Sequence, residues 1–146
     1  MLRGSHSAKV DEKGRLKIPA VFLAVLQESY GSELFVTSLN GDFVRIYPFD
    51  EWSKIEERLA RMPSSNRLKR KYLNRTNYFG QAVSMDKQGR VLMPALLRES
   101  AAMKGEVAVL GMLTYMDVWN HQRFLEDIKK NPITVEDERT LDELGI

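Results

Sequence analysis

The chain contains no cysteine, which excludes disulfides, thiolate metal sites and cysteine nucleophiles and fits a reducing compartment. Its only histidines, His6 and His121, lie far apart and in no ligand spacing of the His-x-x-x-His kind. No Gly-rich phosphate loop of the Walker or dinucleotide type is present. No apolar run approaches the ~18 residues that span a bilayer, and the first residues lack the basic start and apolar block of a signal peptide. These absences predict a cytoplasmic protein with no membrane association, no metal, no cofactor and no enzymatic activity. What remains is 146 residues, 43% apolar and 29% charged, enough for one globular domain or two small halves sharing a core.

The dominant positive feature is an internal echo. Asp11-Glu12-Lys13-Gly14-Arg15-Leu16-Lys17-Ile18-Pro19-Ala20 returns as Asp86-Lys87-Gln88-Gly89-Arg90-Val91-Leu92-Met93-Pro94-Ala95. Asp, Gly, Arg, Pro and Ala keep their mutual spacing, so the chain is read as a tandem duplication.

Charge is segregated behind a net value of +2. Between Arg61 and Arg90, the cations Arg61, Arg67, Lys69, Arg70, Lys71, Arg75, Lys87 and Arg90 face a single acid, Asp86. Beyond Leu125 the acids Glu126, Asp127, Glu136, Asp137, Glu138, Asp142 and Glu143 outnumber Lys129, Lys130 and Arg139. Such a pattern suits either a region facing a polyanion beside an acidic tail, or two solvated faces that attract each other between subunits.

Each copy reads as β-β-α-β-β-α. His6 to Val10 enters a turn at Asp11-Gly14 and leaves as the alternating strand Arg15-Ile18. Pro19 opens a helix with Val21, Phe22, Val25 and Leu26 as its apolar stripe. Strands at Leu34-Thr37 and Phe43-Tyr47 flank Asn40-Gly41, and a second helix carries Phe49, Trp52, Ile55 and Leu59. Pro63-Asn66 breaks that helix and caps a linking helix, Arg67 to Phe79, with Leu68, Tyr72 and Phe79 expected inward. The pattern then restarts, with strands at Ala82-Met85 and Arg90-Met93, a helix from Pro94 to about Met103, and strands at Val107-Leu110 and Met116-Trp119. A last helix holds Phe124, Leu125 and Ile128. The expected divisions are residues 1–62, the basic link 63–80, residues 81–130, and an acidic tail 131–146, mobile or docked on a partner. Neither half is long enough to bury a large core alone, so the two complete one composite domain. A pseudo-two-fold barrel with interleaved hairpins satisfies this and removes exposed sheet edges.

Met1-Leu2-Arg3-Gly4, the paired Asp-x-x-x-Arg turns, Ile46-Tyr47-Pro48 with Glu51-Trp52, and Gly89-Arg90-Val91-Leu92-Met93-Pro94-Ala95-Leu96-Leu97-Arg98 together resemble the MraZ family. The resemblance runs from residue 1 to about residue 130. It implies an α+β fold, a pseudo-two-fold swapped-hairpin β-barrel of the SpoVT/AbrB type flanked by short helices. It also implies a homo-oligomeric ring of eight or more subunits, nucleoid association, and transcriptional regulation of the bacterial division and cell-wall gene cluster through promoter repeats in double-stranded DNA. The chain departs from the family pattern at Val21-Phe22-Leu23, where the second copy carries Arg98, and at Ser38-Leu39-Asn40-Gly41-Asp42.

Arg15 and Arg90 are the first candidates for DNA contact, because a guanidinium can grip a phosphate or the O6/N7 edge of guanine with two hydrogen bonds. Lys13, Lys17, Lys87 and Arg3 are candidates for holding phosphate. Asp11 and Asp86 are expected to cap their turns, with Gly14 and Gly89 supplying positive φ. Pairing of Asp11 with Arg15 and of Asp86 with Arg90 is the competing role for the arginines, and both roles are compatible. Trp52, Trp119, Phe49 and Phe124 are expected as core or interface anchors. Two other readings stay open: a protein-binding scaffold or antitoxin-like module of the same fold, and, more remotely, a metal-dependent hydrolase using Asp11 and Asp86.

Overall fold

The computed structural model describes all 146 residues. In the first half, β1 (Ser5–Val10) and β2 (Arg15–Lys17) precede α1 (Ala20–Ser29), then β3 (Glu33–Thr37), β4 (Val44–Pro48) and α2 (Phe49–Ala60). After α3 (Arg67–Tyr78) the pattern repeats as β5 (Gln81–Ser84), β6 (Arg90–Leu92), α4 (Ala95–Ser100), β7 (Gly105–Gly111), β8 (Met116–Asn120) and α5 (His121–Lys130), with α6 (Val135–Glu143) beyond it. The eight strands form one antiparallel sheet in the order β5-β3-β4-β8-β7-β1-β2-β6. Its two outer members are consecutive in sequence, and the Asp86 N–H donates to the Arg90 carbonyl at 3.0 Å across their turn. The sheet therefore curls into a nearly closed barrel.

The halves interleave as the duplication requires. β1 pairs with β7 of the second half and β5 with β3 of the first, while β2 pairs with β6 and β4 with β8. In the β2–β6 ladder Leu16 faces Val91, with Arg15 opposite Leu92 and Lys17 opposite Arg90. The pseudo-two-fold axis passes through Leu16 and Val91. Because successive side chains alternate across a strand, Leu16 and Val91 point into the barrel and are fully buried. One apolar cluster takes residues from both halves, including Phe22 and Leu26 of α1, Leu97 of α4, Val36, Ile46, Val109 and Val118. Neither half has a core of its own.

The β4–β8 ladder crosses the same axis with an unequal pair at its centre. Arg45 faces Asp117, between Val44–Val118 and Ile46–Met116. Nε and Nη2 of Arg45 donate to the two Asp117 oxygens at 2.9 and 3.4 Å. The guanidinium also lies over the Tyr115 ring at 4.6 Å and the Phe43 ring at 5.7 Å. Burial pushes the Asp117 carboxyl above its ordinary value against the pull of Arg45, and the carboxylate keeps Arg45 firmly charged despite its own burial.

Several local expectations change in the fold. Val21 and Leu68 are exposed. Leu68 faces out because α3, capped by the Asn66 side chain accepting from the Lys69 N–H at 3.0 Å, turns Tyr72 toward Trp52 and buries Thr76 against the barrel. There the Thr37 hydroxyl donates to the Thr76 carbonyl at 2.7 Å. The helix after Pro94 ends at Ser100, short of Met103, because Ala102 turns to φ 52° and the Met103 N–H bonds back to the Arg98 carbonyl. Residues 131–146 contain a capped helix, α6: Thr134 and Asp137 form a reciprocal capping box. Trp52 is buried and stacked 4.5 Å from Phe35, and Trp119 is half-buried and stacked 4.3 Å from Phe43.

Candidate nucleic-acid interface

The repeated turns are built alike, atom for atom. Oδ1 of Asp11 accepts from the backbone N–H of Lys13 at 3.0 Å and of Arg15 at 2.9 Å, and Oδ2 accepts from Arg15 Nε at 2.8 Å. Asp86 makes the same three bonds with Gln88, Arg90 and Arg90 Nε, at 2.9, 2.9 and 2.8 Å. Backbone donation from Arg15 and Arg90 is the main cause that holds the two carboxyls below their ordinary value, with the guanidinium beside each adding to it. Both oxygens of each aspartate are engaged on their own turn, and no cluster of potential metal ligands forms. Gly14 and Gly89 take φ of 81° and 73° and are buried.

Bracing and presentation coexist in one side chain. The aspartates use only Nε, and the terminal nitrogens of Arg15 and Arg90 donate to no protein atom. Each guanidinium is fixed at its stem, with its side chain about one-third exposed, so little rotamer freedom remains to be lost when its outer edge meets an acceptor. Alternation in β2 and β6 puts Arg15, Lys17, Arg90 and Leu92 together on the outer face of the ladder. Two residues along and one strand across, the Arg15 and Arg90 backbones are about 8 Å apart. That spacing lies within the ~12 Å major groove of B-DNA, which admits a two-stranded β-ribbon.

The other predicted cations divide. Lys13 and Lys87 are exposed at the turn tips. Lys17 is on the ladder face, but its Nζ donates to the Gln88 carbonyl at 2.6 Å and so buttresses the second turn. Arg3 is exposed at the opposite end of β1, next to the Leu2–Leu113 bridge, and the fold does not bring it to the turns.

A residue outside the predicted set supports the first turn. Arg98 of α4 lies over Gly14, and its Nη1 donates to the Lys13 carbonyl at 3.2 Å. Lys13 and Gln88 occupy the same place in the two turns, so both carbonyls receive a cation from the opposite half. The first is served by Arg98 and the second by Lys17. The symmetry-related positions hold leucines: Leu23 covers Gly89, and Leu92 sits exposed on the ladder. The contrast of Leu23 with Arg98 was visible in the sequence; its exchange with Lys17 and Leu92 depends on strand pairing.

This architecture, two interleaved halves with matching Asp-x-x-x-Arg turns, agrees with comparison to known proteins. A profile of the MraZ protein, described as antitoxin-like, matches residues 1–75 and 80–144. The chain belongs to the MraZ family. The protein of Acidobacterium capsulatum named transcriptional regulator MraZ is 51% identical over the whole of both chains. Its namesake in Koribacter versatilis is 49% identical, again end to end. The MraZ regulator of Chromobacterium violaceum is 35% identical over 85% of this chain and 84% of its own. These MraZ relatives are named for regulation and not for catalysis. No helix in the fold is long and apolar enough to cross a membrane.

Proposed function

We propose that this protein is a sequence-specific DNA-binding transcriptional regulator that engages promoter DNA through the outer face of the β2–β6 ladder and its two turns. The observation that carries the reading is the free outer edge of Arg15 and Arg90 on one surface, each guanidinium held at Nε by its own aspartate. In this reading Arg15 and Arg90 read or clamp the duplex, while Lys13, Lys87 and the part-engaged Lys17 hold phosphate. Arg3 contributes only where DNA or a neighbouring subunit reaches the far end of β1. One ladder offers few contacts, so affinity is gained when several subunits of a ring engage repeats at once. Family membership supports the bacterial division and cell-wall gene cluster as the target and a ring of eight or more subunits as the active form, in the cytoplasm and on the nucleoid.

The test is binding to the duplex upstream of the protein's own gene, measured against random duplex over a range of salt. Replacing Arg15 and Arg90 together by alanine is expected to abolish the preference, each guanidinium being worth ~1–3 kcal/mol where it contacts a base. Unchanged affinity in that variant, or no preference in the wild type, overturns the proposal. The antitoxin-like description of the family favours a second reading, a module that binds a protein partner. That reading predicts a stable complex that survives loss of both arginines.

A further inference from the structure

The pseudo-two-fold axis gives every residue of the β2–β6 ladder an equivalent, and the outer face breaks that equivalence in one place. Arg15 is equivalent to Arg90, and Lys17 to Leu92. Arg15 stands directly opposite Leu92, and Lys17 directly opposite Arg90, the backbones in each pair about 4.5–5.5 Å apart. One end of the face is therefore a guanidinium beside an apolar group, and the other a guanidinium beside an ammonium.

Lys17 has a structural task that Leu92 lacks. Its Nζ holds the Gln88 carbonyl of the second turn, whereas the equivalent Lys13 carbonyl of the first turn is held by Arg98 from α4. The first turn therefore makes no demand on residue 92. The neighbours Val91 and Met93 point inward and are fully buried, while Leu92 is 50% exposed and is not part of the apolar core. A lone surface leucine is ordinary, but this one stands among Arg15, Arg90 and Lys17. A face of that charge suits a polyanion, and the major-groove edge of duplex DNA offers a single apolar group, the C5-methyl of thymine.

We propose that Leu92 is a specificity-determining residue that packs on the C5-methyl of a thymine one base pair away from the pair gripped by Arg15. No methyl is read at the Arg90 end, where Lys17 stands in the equivalent place. Successive bases on a strand are about 3.4 Å apart, so a methyl on the neighbouring pair is within reach of a side chain rooted about 5 Å from Arg15. The two ends of the ladder then read different bases in spite of their matching turns. The inference rests on the DNA-binding reading of the ladder and deepens it.

The test compares the duplex upstream of the protein's own gene with the same duplex carrying deoxyuridine at every thymine, which removes the methyls and keeps the base pairing. Full-length wild type is expected to bind the deoxyuridine duplex at least about fourfold more weakly, the equivalent of ~0.8 kcal/mol for one buried methyl-sized group. Leu92→Ala is expected to bind both duplexes alike, with its unfolding transition unchanged because residue 92 lies outside the core. Leu92→Lys restores the symmetry of the face; it is expected to bind random duplex more tightly, with a salt slope steeper by about one, and to ignore the methyls. Single deoxyuridine replacements are expected to place the loss at one thymine in each repeat. Equal binding of the two duplexes by wild type, a loss that persists in Leu92→Ala, or a loss spread evenly over all thymines overturns the proposal. Should Arg15→Ala with Arg90→Ala abolish the preference for the upstream duplex while deoxyuridine has no effect, the ladder is the DNA surface and Leu92 does not read it. A wild type with no preference for that duplex over random DNA overturns both readings.

Discussion

Replacing Asp117 by asparagine probes the buried ion pair in one of the four ladders that join the two halves. The side chain of Asp117 is 6% exposed and that of Arg45 22%, and the pair sits at the centre of the β4–β8 ladder. Removing one member of a buried ion pair costs ~3–5 kcal/mol, because the remaining charge is left without its counterion. Two features place this site at the lower end. Arg45 keeps an edge in water and its stacking on Tyr115 and Phe43, and the asparagine amide oxygen still accepts one neutral hydrogen bond. A loss of about 2–3 kcal/mol follows. With a urea m-value of about 2 kcal/mol/M, the unfolding midpoint falls by roughly 1–1.5 M at fixed protein concentration. Arg45→Asp should be worse, since it sets two carboxylates face to face on the axis. Exchanging the pair, Arg45→Asp with Asp117→Arg, should recover most of that loss but not all, because both aromatic rings are arranged around residue 45. A shift below about 0.5 kcal/mol for Asp117→Asn, or an exchanged pair no more stable than Arg45→Asp alone, refutes the reasoning.

The turns give a pH prediction of definite sign. Asp11 and Asp86 titrate below their ordinary 3.8 in the folded chain, so their contribution is present above that value and lost as pH falls through the folded midpoints. Carboxyl NMR titrations with midpoints at or above 3.8 would contradict it. The exchanged buttresses predict local effects: Arg98→Leu should speed amide hydrogen exchange in the Asp11 to Arg15 turn and leave Asp86 to Arg90 unchanged, while Lys17→Leu should do the reverse. Gly89→Ala forces a side chain to φ 73° against Leu23 and should cost about 1–2 kcal/mol, read from thermal or urea unfolding. A neutral result there would mean that the turn relaxes and that Leu23 does not pin it.

Much of this protein was legible before any fold was known. The strands and helices of both copies were set by hydrophobic period, by the Asp-x-x-Gly turns and by the prolines that start α1 and α4, all within a few residues of one another. Leu68 and Val21 turn outward, against expectation, because an apolar residue at helical spacing says nothing about which arc of the helix meets the barrel; for α3 the contacts of Tyr72 with Trp52 and of Thr76 with Thr37 decide it. The helix in the tail goes beyond the expectation of a mobile or partner-docked segment, although Thr134 and Asp137 carry its start signal, because a run of acids by itself points to a solvated end. Arg45 and Asp117 each stood in mid-strand between apolar neighbours, the one trace in the sequence of their burial.

The sequence by itself determined the duplication, the two Asp-x-x-x-Arg turns and the segregation of charge, because each of these is a matter of residue type at short spacing. Only the tertiary structure decided which strands of one half lie against the other. That pairing sets Arg15, Lys17, Arg90 and Leu92 on one surface, hands the support of each turn to the opposite half, and places Arg45 against Asp117 on the axis. Partner choice between distant strands is made by the shared core, whose residues come from both ends of the chain, and no local pattern encodes it.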